Sequence, residues 1–123
     1  MIAGVVNANL EATIPVAVQD LGGRIQQLEG IIDTGYDGFL TLTGPLVMAL
    51  ALPWLRSITA QLADGSTHRI EVHGATLIWD GQLRTIEVDV IDGKPLVGRG
   101  LLAGYEMRAK MVVGGSVTLE AIP

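Results

Sequence analysis

Apolar residues along this chain tend to recur at every second position, in short runs separated by glycine-bearing turns. Ile14, Val16 and Val18 alternate with Pro15 and Ala17, which predicts a strand. Leu21-Gly22-Gly23-Arg24 marks a turn, and the chain returns through Ile25 to Ile32. Phe39, Leu40 and Leu42 predict the next strand. Pro45 to Leu52 predicts a short helix, because proline suits a helix start and Pro53 prevents continuation. A strand over Ile58 to Leu62 leads into Ala63-Asp64-Gly65-Ser66, whose Asp-Gly pair tolerates the positive φ of a tight hairpin. The return strand carries Ile70 and Val72. Trp79-Asp80-Gly81-Gln82 predicts another tight turn, after which Ile86, Val88 and Val90 alternate with Glu87 and Asp89 as a strand with one wet face. Leu96-Val97-Gly98 is an apolar pair closed by glycine. Arg99 to Gly104 predicts a second short helix, with Gly104 past its end. Met107 to Val113, Gly114-Gly115 and Val117 to Ile122 predict a terminal hairpin. About nine or ten short strands and two small helices make the expected class all-β, a closed or partly closed barrel. The chain has 123 residues, so one domain over residues 1–123 is expected.

Composition narrows the function. Hydrophobic residues make up 49% of the chain but aromatics only 4%, so Val, Ile, Leu and Ala must fill the core. The net charge is −5 and the 8 basic residues are spread thinly. Nucleic acid demands clustered Lys and Arg, so that partner is not expected. The absence of cysteine excludes disulfides and thiolate metal sites and suits the cytoplasm. No basic segment followed by an apolar run opens the chain, so no signal peptide is expected. The uncharged stretch from Gly38 to Leu55 is broken by Gly44, Pro45 and Pro53, and reads as strand and helix, with no membrane partner. His68 and His73 fall on opposite faces, so no metal site is expected, and no cofactor. Ser57, Ser66 and Ser116 have no nucleophile-elbow context. Trp54 and Trp79 read as packing residues, with a place lining a subsite as the alternative for either.

The chemistry concentrates at Asp33-Thr34-Gly35, preceded by Ile31-Ile32 and followed by Tyr36-Asp37-Gly38-Phe39-Leu40. A carboxylate stands at the end of an apolar strand, held by a Thr-Gly turn. Hydrolysis of a peptide without a metal or a nucleophilic side chain needs an activated water and a proton donor. Two carboxyls a few ångströms apart supply both, because like charges that close share one proton. The ionised member takes a proton from water, and the protonated member polarises the scissile carbonyl. The chain carries a single such triplet, hence half a site, and the second half must come from a second copy. Gly35 lets backbone N–H groups approach the carboxylate. Thr34 offers a hydroxyl that can bond across a two-fold axis.

These residues resemble the retropepsin-like, single-domain aspartic proteases of viruses and bacteria. Three blocks carry the likeness: residues Ile31 to Leu40, the Ala63-Asp64-Gly65-Ser66 hairpin at the place of the family's flap, and Pro95-Leu96-Val97-Gly98-Arg99-Gly100-Leu101-Leu102. The resemblance implies a closed β-barrel with two short helices, the homodimeric acid-protease fold. It implies a catalytic Asp33, with Thr34 and Gly35 shaping the site. Residues 58 to 72 would be a flap, tipped by Ala63, Asp64 and Gly65, over an extended polypeptide with apolar side chains near the scissile bond. Asp37 would face the substrate backbone. Arg99 would pair with Asp37 to brace the site, beside Gly98. Val117 to Ile122 would seal the dimer. Two positions depart from the viral pattern: Tyr36 sets a bulky ring at the cleft where a small or hydroxylated residue is usual, and the flap tip lacks a glycine-rich run. Two other readings remain, a non-proteolytic dimeric peptide-binding or scaffolding module with the same fold and a monomeric β-barrel that binds a ligand in a central cavity.

Overall fold

The computed structural model describes residues 1–61 and 63–123. Leu62, the last residue of the strand expected over Ile58 to Leu62, lies outside the described residues. The strands are β1 (Ile2–Val6), β2 (Ala12–Gln19), β3 (Ile25–Ile32), β4 (Leu40–Leu42), β5 (Trp54–Gln61), β6 (Thr67–Trp79), β7 (Gln82–Val90), β8 (Leu96–Val97), β9 (Tyr105–Ala109) and β10 (Ser116–Ala121). The helices are α1 (Gly44–Ala49) and α2 (Arg99–Leu102). All the strands join one sheet in the order β5-β6-β7-β4-β8-β3-β2-β1-β10-β9, and β6 also pairs with β2. The ladder from β6 round to β2 thus returns to its start. β5 lies outside it on one side, and β1, β10 and β9 on the other.

β2 shows why alternation suffices to build this fold. Ile14, Val16 and Val18 are buried in an aliphatic core with Leu40, Leu42, Val88, Val97, Leu101, Val117 and Leu119, while Pro15 faces out. Pro15 has no N–H to offer a ladder. It sits where β2 has left β1, at Ala12 and Thr13, and has not yet met β6, at Ala17 to Gln19. The two tight turns form where Asp-Gly pairs stand. Asp80 and Gly81 have φ of 51° and 80°, the signature of a hairpin turn matched to strand twist.

Several boundaries differ from the sequence pattern. α1 begins at Gly44 because Thr43 caps it, its Oγ1 accepting the Leu46 N–H at 3.4 Å. It ends at Ala49, and Ala51, with φ of 53°, turns the chain away. β5 starts at Trp54, four residues before the expected Ile58, because its pairing with β6 runs down to His73. β9 starts earlier than expected and stops at Ala109. Beyond it the backbone turns to β1, where the Val6 N–H donates to Gly115 O and the Gly114 N–H donates to Val6 O, each at 2.9 Å. Met111, Val112 and Val113 therefore lie in an exposed turn and not in a strand. β1 was not marked by the sequence pattern. Its Gly4 lies so close to the Thr13 carbonyl that no Cβ fits.

A dimer seal at Val117 to Ile122, as expected from the resemblance, would have to use side chains and not strand edges. β10 is flanked by β1 on one edge and β9 on the other, so its backbone hydrogen bonds are taken within its own chain. Among the described residues no helix is long and apolar enough to cross a membrane.

Candidate active site

β3 delivers Asp33 to the surface. Its last two residues pair in parallel with β8, Ile31 with Leu96 and Ile32 with Val97, and the Asp33 N–H adds one more bond to Val97 O at 2.9 Å. The chain then folds back on the carboxylate. Asp33 Oδ1 accepts the Gly35 N–H at 2.9 Å, and the Tyr36 N–H donates to Asp33 O at 3.2 Å. Among the described residues nothing within the chain bonds Oδ2. Asp33 is half-buried, and Thr34, Gly35 and Asp37 are exposed. The result is a carboxylate fixed through one oxygen and open through the other, at the end of a rigid strand.

The first and third sequence blocks come together at this point. The Gly98 N–H donates to Phe39 O at 2.9 Å, the Arg99 N–H to Tyr36 O at 2.8 Å and the Gly100 N–H to Gly38 O at 2.9 Å. Gly98 is a glycine of necessity, since an added Cβ would stand 2.5 Å from Tyr36 Cδ2 and still closer to the Gly38 carbonyl. The bracing assigned to Arg99 is corrected. Its side chain is exposed and makes no ion pair with Asp37 among the described residues, while its backbone N–H joins the two blocks at Tyr36 O.

Tyr36 also behaves unlike the expectation. Its ring packs inward against Gly38 and Gly98, and its hydroxyl donates to Asp89 Oδ2 at 2.5 Å instead of presenting itself at the cleft. Burial pushes the phenol pKa well up, and the Asp89 carboxylate adds to the shift. Sequence reasoning missed Asp89, which sits on what reads as the wet face of β7. Nothing local distinguishes it from Glu87.

The β5–β6 hairpin reaches beyond the rest of the sheet. Its ladder with β7 begins only at Val72, so residues 57–61 and 67–71 form a two-stranded arm with no third strand beside it among the described residues. The arm has two faces. Ile58 pairs with Ile70 on the side that is buried one rung lower at Val72, and Ser57 pairs with Glu71 and Thr59 with Arg69 on the other. On that polar side Glu71 accepts hydrogen bonds from Ser57 Oγ at 2.5 Å and Trp54 Nε1 at 2.8 Å, and Arg69 meets it at 3.0 Å. Those bonds, that of Ser57 foremost, hold the Glu71 carboxyl below its usual pKa. Trp54 is therefore exposed, while Trp79 is buried against Tyr105 as a packing residue. At the tip, Ala63, Asp64 and Gly65 are exposed. Asp64 Oδ1 accepts from Ser66 N at 2.8 Å, and Gly65 has φ of 85°. Arg56 ties the root of the arm to Glu87 on β7.

A mostly apolar cavity of about 570 Å³ lies elsewhere, walled by Leu21, Phe39, Leu52, Pro53, Leu55 and Ile86. Its lining does not include Asp33, and the carboxylates in it are Asp20 and Glu87. His73 Nδ1 lies 2.9 Å from Leu52 O, which occupies that ring nitrogen internally.

No family model matches the chain, and no curated protein matches it. Among solved structures, the chain is similar to a retropepsin-like aspartic protease from Rickettsia conorii. That likeness has a TM-score of 0.58 at 11% identity and covers 98% of this chain and 91% of that one. The fold is thus retropepsin-like, mostly β with two short helices.

Proposed function

We propose that the chain, one domain over residues 1–123, is an aspartic endopeptidase that acts as a homodimer with one Asp33 from each copy. The observation that carries this reading is the state of Asp33, anchored by Val97 O and Gly35 N–H with its second carboxylate oxygen open. The retropepsin-like fold supports it. Two such carboxyls facing across a two-fold axis share one proton. The ionised member draws a proton from a water whose oxygen attacks the scissile carbonyl carbon. The protonated member gives its proton to the carbonyl oxygen, and collapse of the tetrahedral intermediate returns a proton to the leaving amide nitrogen. No cofactor takes part. Thr34 bonds across the axis, and Asp37 meets the substrate backbone.

The arm at residues 57–71 acts as the flap, its Ile58 and Ile70 face laid over an extended polypeptide with apolar side chains, its tip at Ala63, Asp64 and Gly65. The cysteine-free composition agrees with a cytoplasmic setting. The test is autoprocessing or cleavage of casein at about pH 4 to 6, where a shared-proton pair is active. Turnover blocked by a pepstatin-like inhibitor and by Asp33→Asn is the expected result. Peptide binding without turnover at any pH would replace the enzyme with a binding module.

A further inference from the structure

We infer that two copies of this chain meet through an apolar ridge formed by Leu10 and Met111-Val112-Val113, at the Asp33 end of the sheet. The inference rests on the paired-carboxyl reading, which is what requires a second copy beside Asp33.

The register of the sheet locates the ridge. Ile31 on β3 pairs with Thr13 on β2, Thr13 with Val5 on β1, and Val5 with Ser116 on β10. The Lys110 N–H, just past β9, donates to Ser116 O at 2.9 Å. These residues form one rung across five strands. Just beyond it, on the same end of the sheet, stand Asp33, the turn from Asn7 to Glu11, and the turn from Met111 to Gly115. Strands lie about 4.8 Å apart, so three spacings put the 111–115 turn roughly 14 Å from Asp33 along the sheet. A standard interface buries about 800 Å² on each partner, a disc of about 16 Å radius. A two-fold axis passing beside Asp33 therefore brings the ridge inside the footprint.

The ridge is built and not frayed. Leu10 is 52% exposed at φ of 59°, a conformation that a Leu side chain rarely adopts. Asn7 holds it there: its carbonyl accepts the Leu10 N–H, and its Oδ1 accepts the N–H groups of Asn9 and Glu11, each at 3.0 Å. Met111, Val112 and Val113 are 54%, 63% and 64% exposed, three apolar side chains in succession where a turn ordinarily carries polar ones. Their turn is pinned by the Val112 N–H on Lys110 O and the Gly115 N–H on Val112 O, both at 2.8 Å. The competing modes are weaker. β10 has no free edge. The outer edge of β9 carries the Glu106–Arg108 ion pair, a charged rim of the sort that discourages edge pairing.

The test is sedimentation velocity across a concentration series, with peptide cleavage assayed on the same samples. The variants are Leu10→Asp, the double variant Val112→Asp/Val113→Asp, and Leu83→Asp as a control at another exposed apolar residue. Thermal melts check that each is folded. Wild type and Leu83→Asp are expected to be dimers. The ridge variants are expected to raise the dimer dissociation constant by about tenfold or more, with cleavage lost in parallel and regained at high protein concentration. Ridge variants that stay dimeric at the wild-type constant overturn the inference, and if they also cleave peptide the catalytic reading survives without it. Dimers that fall apart in the ridge variants but never cleave peptide leave the interface standing and remove the catalytic reading. A wild-type chain that is monomeric throughout overturns both.

Discussion

The Tyr36 hydroxyl donates to Asp89 Oδ2 at 2.5 Å, joining positions 53 residues apart in the chain. Asp89 lies on the rung that also holds Thr41 of β4 and Val72 at the root of the arm. The loop that carries Asp33 and the strand pair proposed as the flap thus share one anchor. Tyr36→Phe removes the donor and leaves a half-buried carboxylate short of a partner. The expected loss is about 1 to 3 kcal/mol of stability, read from urea unfolding. Asp89→Asn, which keeps an acceptor, should lose less. No loss from Tyr36→Phe would show that this hydrogen bond adds nothing to stability.

Gly98→Ala should be worse than either. The new methyl would push on Tyr36 Cδ2 and on the Gly38 carbonyl at once, and neither is the free end of a flexible side chain. About 2 to 4 kcal/mol of destabilisation is expected in the same unfolding assay. A variant within about 0.5 kcal/mol of wild type would mean that the two loops are not in this contact.

The same tyrosine sets an alkaline limit. Its phenol holds its proton more tightly in the folded chain than at its ordinary pKa near 10. Above that pH the folded state binds more protons than the unfolded one, so stability falls as the pH rises. Melting temperature should drop from about pH 10 upward, and Tyr36→Phe should flatten that drop.

At acid pH the arm should loosen first. Glu71 is held low by Ser57 and Trp54, Glu87 by Arg56, and Asp64 by Ser66. Each contribution is present above the ordinary carboxylate values of 4.5 and 3.8, and is lost as the pH falls through the lowered folded pKa. Asp64 is exposed and Glu71 and Glu87 are only partly buried, so the effect is local to the hairpin. Hydrogen exchange should show the amides of residues 57–61 and 67–71 losing protection below about pH 4 while β2 and β3 keep theirs. Glu71→Gln should show the weaker protection already at neutral pH.

Local signals made much of this molecule legible. Asp64-Gly65 and Asp80-Gly81 announce turns because few other pairs accept their backbone angles, and β2 and β7 announce themselves by strict alternation. Asp33 is legible because an apolar strand, a carboxylate and a Thr-Gly turn are contiguous. What alternation hides is distance. Glu87 and Asp89 look alike on a wet face, yet one pairs with Arg56 and the other takes the Tyr36 hydroxyl. Met111 to Val113 reads as strand by composition, but the bonds of Val6 with Gly114 and Gly115 commit that backbone to a turn. The pairing of Arg99 with Asp37 came from the family resemblance alone; among the described residues the two make no ion pair, and the Arg99 N–H bonds Tyr36 O.

The most direct measurement is a subunit-mixing titration: wild-type chains equilibrated with Asp33→Asn chains at constant total protein, with peptide cleavage recorded at each ratio. If each active centre takes one Asp33 from each copy, mixed dimers are dead and activity follows the square of the wild-type fraction, leaving about a quarter at equal parts. Activity that instead falls in direct proportion, with about half remaining, would mean that one chain carries a whole site and would contradict the shared carboxyl pair.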